Sequence, residues 1–154
     1  ALVPQYLGMG GAGRIKTPIF GDNSNCRGPV WMPINYSILQ ALTKFHRYLG
    51  PNFKVHAPAI SDGELNLREI VNAISDRLIN LFRRDEKGRV PVFPEHSPFQ
   101  QDSHWKDLRL FHEYFHGDTG LGLGASHKTG WSGLVANLIK RRYELKAAGS
   151  ADSQ

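Results

Sequence analysis

Apolar residues recur with a helical period in three long segments of the chain, and these segments predict its main elements. They span about residues 33–48, 67–84 and 131–146. In each one, apolar side chains return every three or four positions, which gives a helix with one apolar and one polar face. A shorter helix is expected over 103–111. The pattern therefore predicts an all-α protein.

Helix start and stop signals support two of these segments. Pro33 suits the first turn of a helix, and residues 50–51, Gly-Pro, end the first segment. Asn66 precedes the second segment, and Glu69 follows three residues later, which is the spacing of a capping box. We expect these signals to fix the ends of the first helix and the start of the second.

Long loops separate the predicted helices. Segments 1–25, 52–63 and 117–130 carry no sustained period, and the first and last are rich in glycine. Loops of this length in a compact domain usually serve a function. We expect residues 1–146 to form one unit and the small, polar residues 147–154 to form a flexible tail.

Composition narrows the class of protein. The chain has 154 residues, of which 40% are hydrophobic and 21% charged, as in one globular domain rather than a disordered chain. No apolar run approaches the roughly 18 residues of a membrane span, and residues 1–13 show no secretory leader. The net charge is +5, but no basic stripe with interleaved aromatic residues indicates nucleic-acid binding.

A single cysteine, Cys26, rules out an intramolecular disulfide and a zinc site built on two thiolates. Just after it, Arg27 and Trp31 lead into the first predicted helix. Arginine offers fixed donors for hydroxyl or carboxylate groups, and tryptophan offers a flat apolar face that suits a sugar ring. The alternative is a plain helix entry with Trp31 buried in the core.

Residues 112–116, His-Glu-Tyr-Phe-His, match the H-E-x-x-H pattern. On a helix, two histidines at this spacing hold zinc while the glutamate acts as a base. Residues 117–120, Gly-Asp-Thr-Gly, follow at once and would break such a helix. A zinc metallopeptidase that uses His112, Glu113 and His116 is thus an alternative function.

The glycine-rich loop 117–130 is a third candidate site, because glycine allows a ligand close to the backbone. A phosphate-binding loop is excluded, since it needs a glycine directly before the lysine and His127 stands directly before Lys128. The other reading is a flexible surface loop.

Together these segments resemble glycoside hydrolase family 63, which includes processing α-glucosidase I. Residues 25–36 are similar to its signature N-W-R-G-P-I/V-W-x-x-I/V-N-Y. Residues 111–132 are similar to its closing segment E-x-Y…T-G-x-G…T-G-W-S/T. The similarity runs from about residue 19 to residue 139, and the two motifs stand in the family's order.

The resemblance implies an (α/α)6 barrel, a toroid of helical hairpins, that hydrolyses α-glucosidic or related α-glycosidic bonds with inversion. Such a reaction needs a general acid and a general base, and no metal or cofactor. By its place in the closing motif, Glu113 matches the base. Arg27, Trp31 and Trp131 are the candidates for binding the sugar and orienting the base, and Arg27 is expected to keep Glu113 ionised by its positive charge.

Two departures from the family stand out. Cys26 occupies the place of a family tryptophan, so one stacking face is missing. A barrel of twelve helices also needs far more than 154 residues, and the family's acid, an aspartate, lies in the preceding part of the chain. The sequence thus predicts the C-terminal part of a barrel that lacks its N-terminal part and is inactive alone. A non-catalytic carbohydrate-binding remnant is a further alternative. We expect a cytoplasmic protein, or one of the endoplasmic reticulum lumen if it is a processing glucosidase.

Overall fold

The computed structural model describes residues 30–151, with side chains up to Glu144. This part of the chain is mostly helical, with two antiparallel sheets of two short strands each. The elements in chain order are α1 (Met32–Leu49), β1 (Lys54–His56), β2 (Glu64–Asn66), α2 (Leu67–Asn80), α3 (Pro98–Gln101), β3 (Tyr114–Phe115), β4 (Gly122–Leu123), α4 (Thr129–Ser132) and α5 (Val135–Ala151). The all-α prediction was therefore too narrow, because it lacked the strands.

Helix α1 confirms the first prediction closely. A proline stands in its first turn, and Gly50, with φ 81°, ends it by donating its N–H to the carbonyl of His46 at 2.9 Å. Its buried face consists of Met32, Asn35, Leu39 and His46. These residues pack α1 against α2 and α4.

The start of α2 is confirmed, but its predicted end at Arg84 was wrong. The Asn66 side chain accepts hydrogen bonds from the N–H groups of Arg68 and Glu69, and the Glu69 carboxylate accepts from the N–H of Asn66. The helix stops at Asn80 because the chain then turns inward and buries Leu81 and Phe82.

The helix predicted over 103–111 was also wrong. A single turn, α3, forms earlier, where Ser97 caps the N–H of Phe99 and a proline occupies the first turn. Residues 103–107 instead form turns, with the Asp102 carboxylate accepting from the N–H of His104. Asp102 competes here with the helical backbone for hydrogen bonds, as aspartate does in turns.

Two further boundaries differ from the prediction. The loop expected over 52–63 contains β1, which pairs with β2. The last predicted helix is divided into α4 and α5 around Gly133. Helix α5 then continues through Ala151, because its last residues are rich in alanine, which favours a helix. Residues 147–151 of the expected tail are thus helical. The loop predicted over 1–25 lies outside the described residues.

One hydrophobic core holds the helices together. It combines side chains of α1, α2 and α5 with the irregular segment 90–93 and Phe115. The buried amide of Gln100 fixes that segment, since it bonds both backbone groups of Val90 and the carbonyl of Phe93. Residues 30–151 do not themselves close a barrel, and none of their helices is long and apolar enough to cross a bilayer.

Candidate active site

The hairpin of β3 and β4 carries the candidate base. Tyr114 pairs with Leu123 and Phe115 with Gly122. Val30 joins this hairpin by two backbone hydrogen bonds with Phe115, at 3.2 and 3.0 Å. These bonds therefore join the end of the first motif to the second, although 84 residues lie between Val30 and Phe115 in the sequence.

The Glu113 side chain is buried just before β3 and held by the loop that follows β4. Its Oε2 accepts the N–H of Ala125 at 3.1 Å, and its own N–H donates to the Ala125 carbonyl at 2.9 Å. Gly124 makes this approach feasible. It adopts φ 68°, and a Cβ there would lie 2.6 Å from Oε2. The carboxylate is thus fixed through one oxygen, and its Oε1 bonds to none of the described residues.

Two tryptophans lie in the same region. Trp31 and Trp131 meet edge to face, with ring centroids 5.4 Å apart. Trp31 also packs against the buried pair of Tyr114 and Leu123, and the Tyr114 ring would be 3.0 Å from the same Cβ on Gly124. Trp31 therefore lies against the hairpin that follows Glu113, and Trp131 lies against Trp31. Both tryptophans are partly exposed, and the sugar-binding role expected of them stays a prediction.

Three supporting residues were not predicted. Lys128 places its Nζ 5.1 Å from the centroid of the Trp131 ring, a cation–π contact. The fully buried Ser132 donates its hydroxyl to the carbonyl of His112, next to Glu113. Ala125 supplies the N–H for the carboxylate. Ala125 and Ser132 lie at positions that match the closing motif, which is the sequence signal for them, whereas Lys128 matches no motif position.

The two histidines of the H-E-x-x-H match do not share a helix, because the residues between them form strand β3. The His112 ring packs over Gly122, and burial lowers the pKa of His112, which favours its neutral form. The His116 Nδ1 accepts the N–H groups of Asp118 and Thr119 and so closes the hairpin turn. Within residues 30–151, no three His, Cys, Asp or Glu side chains cluster as metal ligands. The helical zinc arrangement was therefore wrong.

Arg27 and Cys26 lie outside the described residues. The expected charge interaction between Arg27 and Glu113 stays a prediction, as does the effect of Cys26 in place of tryptophan.

The sequence is similar to yeast proteins, two of which are named as glucosidases. No family model matches it, and no solved structure does. It is 45% identical over 129 residues, 82% of the chain, to the uncharacterized protein YMR196W of Saccharomyces cerevisiae. It is 27% identical to the mannosyl-oligosaccharide glucosidase of the same yeast over 79% of the chain. It is also 27% identical to a probable mannosyl-oligosaccharide glucosidase of Schizosaccharomyces pombe over 80% of the chain.

The chain spans 12% of the length of each of these three relatives. It is thus a distant homologue of glycosidases over most of its own length, and it corresponds to a small part of theirs.

Proposed function

We propose that this chain is the C-terminal part of an (α/α)6 barrel in a longer family 63-like glycosidase that hydrolyses α-glucosidic bonds with inversion. The distant similarity to two mannosyl-oligosaccharide glucosidases supports an oligosaccharide substrate. The observation that carries the proposal is the Glu113 carboxylate, held by the Ala125 N–H at a hairpin whose Tyr114 and Leu123 pack against Trp31.

Glu113 acts as the general base. The Ala125 N–H fixes Oε2, and Oε1 takes the proton of a water molecule that attacks the anomeric carbon. The C–O bond to the leaving group breaks on the opposite face, and the leaving oxygen takes a proton from the general acid. Because water enters from the face opposite the departing group, the configuration at the anomeric carbon inverts.

Trp31, Trp131 and Arg27 bind the sugar. The partly exposed indole rings offer an apolar face and edge to a pyranose, and the arginine donates hydrogen bonds to its hydroxyl groups. The general acid comes from the remaining chain of the longer protein, with its carboxyl group about 6.5–9.5 Å from Glu113 to leave room for water.

Replacement of the base in the protein at its native length tests the proposal. Glu113→Gln keeps the size of the side chain but cannot accept the proton, so kcat on α-glucosides should fall at least about 100-fold while substrate binding is kept. The matched control is Glu95→Gln, because the Glu95 side chain is exposed and absent from this site.

The product stereochemistry gives an independent readout. Nuclear magnetic resonance of early time points should show the β-anomer released from an α-glucoside. Activity above a tenth of the wild-type value in Glu113→Gln, or release of the α-anomer, would contradict the proposed mechanism. Saturable sugar binding without turnover in the wild-type protein would indicate the carbohydrate-binding remnant instead.

A further inference from the structure

A cleft of about 370 Å³ opens between helices α1, α2 and α5, away from the candidate active site. Helix α1 begins beside Trp31, and Lys44 in the cleft lies about 18 Å further along it, at 1.5 Å per residue. The volume falls within the range of roughly 300–1,000 Å³ that is typical of small-molecule sites. The glycosidase mechanism gives this cleft no role.

The interior of the cleft combines apolar walls with amide groups that lack partners. Leu39, Val71 and Leu138 supply the apolar surface. The Gln40 Nε2 and the Asn72 Oδ1 are buried, and neither makes a hydrogen bond within the described residues. Buried polar atoms are otherwise almost always paired. Because a hydroxyl group both donates and accepts, a hydroxylated ligand with an apolar ring face would match this interior.

The edge of the cleft is positively charged. Three exposed cations line it and pair with no carboxylate of residues 30–144: Lys44, Arg47 and Arg141. Arg142 also lines the cleft, but Asp76 neutralises it through two hydrogen bonds. Among the described lining residues only Glu144 is acidic, and its carboxylate lies 3.8 Å from Lys140.

The helix dipole does not account for these charges. Basic residues in the last turn of a helix complement its dipole, and Arg47 stands in the last turn of α1. Lys44 precedes that turn, and Arg141 lies in the interior of α5. Arg141 is also 5.7 Å from the centroid of the Tyr36 ring, a contact that leaves its charge without a counter-ion. The cleft therefore has an edge that suits an anion.

We propose that this cleft binds a small hydroxylated phosphate of the sugar-phosphate class. A phosphate monoester carries about −1.5 to −2 charges at neutral pH, which suits an edge with several cations. Lys44, Arg47 and Arg141 bind the phosphate group, since lysine and arginine are the usual phosphate ligands. The hydroxyl groups of the ligand bind the buried amides of Gln40 and Asn72.

Titration calorimetry on the protein at its native length tests the inference, with glucose 6-phosphate, glucose and inorganic phosphate as probes. Glucose 6-phosphate should bind at least tenfold more tightly than either of the other two, because it alone engages both the cations and the amides. Absence of binding would overturn the inference. Equal affinity for inorganic phosphate would overturn it too, since the buried amides would then have no part in binding.

A charge-reversal pair identifies the cleft as the binding site. Arg47→Glu should weaken the binding of glucose 6-phosphate at least tenfold, because it replaces a cation at the edge with a carboxylate. Arg83→Glu is the matched control, since Arg83 is also exposed, does not line the cleft and undergoes the same change of charge. Equal effects of the two variants would contradict a site in this cleft.

Gln40→Met separates a ligand site from a cleft that the rest of the protein fills. Methionine is similar in size but lacks the amide, so the binding of glucose 6-phosphate should weaken at least tenfold. The urea midpoint without ligand should not fall, because no hydrogen bond within the protein is lost. A lower midpoint would show that other residues of the native-length protein pair with this amide, and would overturn the inference. Glycosidase turnover is a separate readout, so failure of the catalytic proposal leaves this test intact.

Discussion

Gly124 controls where the Glu113 carboxylate lies. Its φ of 68° is a left-handed conformation that costs other residues about 1 kcal/mol or more. A Cβ at this position would also press on the carboxylate, 2.6 Å from Oε2 and 2.9 Å from the Glu113 Cβ. The glycine therefore serves both the backbone turn and the hydrogen bond from Ala125 to the carboxylate.

We expect Gly124→Ala to reduce the free energy of unfolding by about 2–4 kcal/mol, because strain is added to the loss of a buried hydrogen bond. Gly88→Ala is the matched control, since Gly88 has φ 75° but open space around its Cβ position. It should cost only about 1 kcal/mol. Urea unfolding measures both, and the kcat of the native-length protein should fall at least about tenfold only for Gly124→Ala. Equal costs for the two variants would show that contact with Glu113 is unimportant.

Among single residues, the sequence indicated the candidate side chains but not the residues that hold them. The motifs indicated Glu113, Trp31 and Trp131, and their catalytic and binding roles stay predictions. The hydrogen bond from Ala125 to the Glu113 carboxylate could not be predicted from the sequence, because only the folded hairpin brings these two residues together. The same strand pairing explains why the H-E-x-x-H match of the alternative function forms no helical site, since Tyr114 and its neighbour form a strand.

Among the elements, helices α5 and α2 are linked by a bidentate ion pair. The Arg142 guanidinium donates to both oxygens of Asp76, at 2.7 and 2.6 Å, and its side chain is only 18% exposed. A bidentate, partly buried pair of this kind contributes more than an ordinary surface pair. By contrast, Lys140 and Glu144 within α5 are both well exposed and stand 3.8 Å apart.

We predict that Asp76→Ala costs about 1 kcal/mol of unfolding free energy, with Asp76 half exposed and the pair partly screened by solvent. Glu144→Ala, which removes the exposed pair, should cost at most about 0.3 kcal/mol. Urea unfolding at low and high salt separates the two. A difference below the error of the measurement would mean that apolar packing alone joins these helices.

Local sequence signals predicted those helix ends that local interactions decide. Pro33 and Gly50 indicated the two ends of α1, and the capping box at Asn66 indicated the start of α2. The end of α2 was not predicted, because Leu81 continues the apolar period of the helix but lies outside it. Its carbonyl accepts the N–H of Val92 instead of a helical N–H. Strand β1 was not predicted either, since three residues are too short a pattern to indicate a strand.

For the molecule as a whole, the proposed function implies dependence on further chain. Hydrolysis with inversion needs two carboxyl groups, and the proposal assigns only the base, Glu113, to residues 30–151. In the proposed mechanism the general acid therefore belongs to the remaining chain of a longer glycosidase.

This dependence predicts that the 154-residue chain, produced alone, hydrolyses α-glucosides at least about 100-fold more slowly than the native-length protein, because it lacks acid catalysis of leaving-group departure. Assays of both proteins on the same α-glucosides, at equal molar concentration, give the comparison. Glu113→Gln in the short chain is the control for contaminating enzyme, and any activity it retains is subtracted. Turnover by the short chain within tenfold of the native-length protein would place both catalytic groups inside these 154 residues. Asp118 in the hairpin turn, the aspartate nearest Glu113 in the sequence, would then be the first to test as the acid.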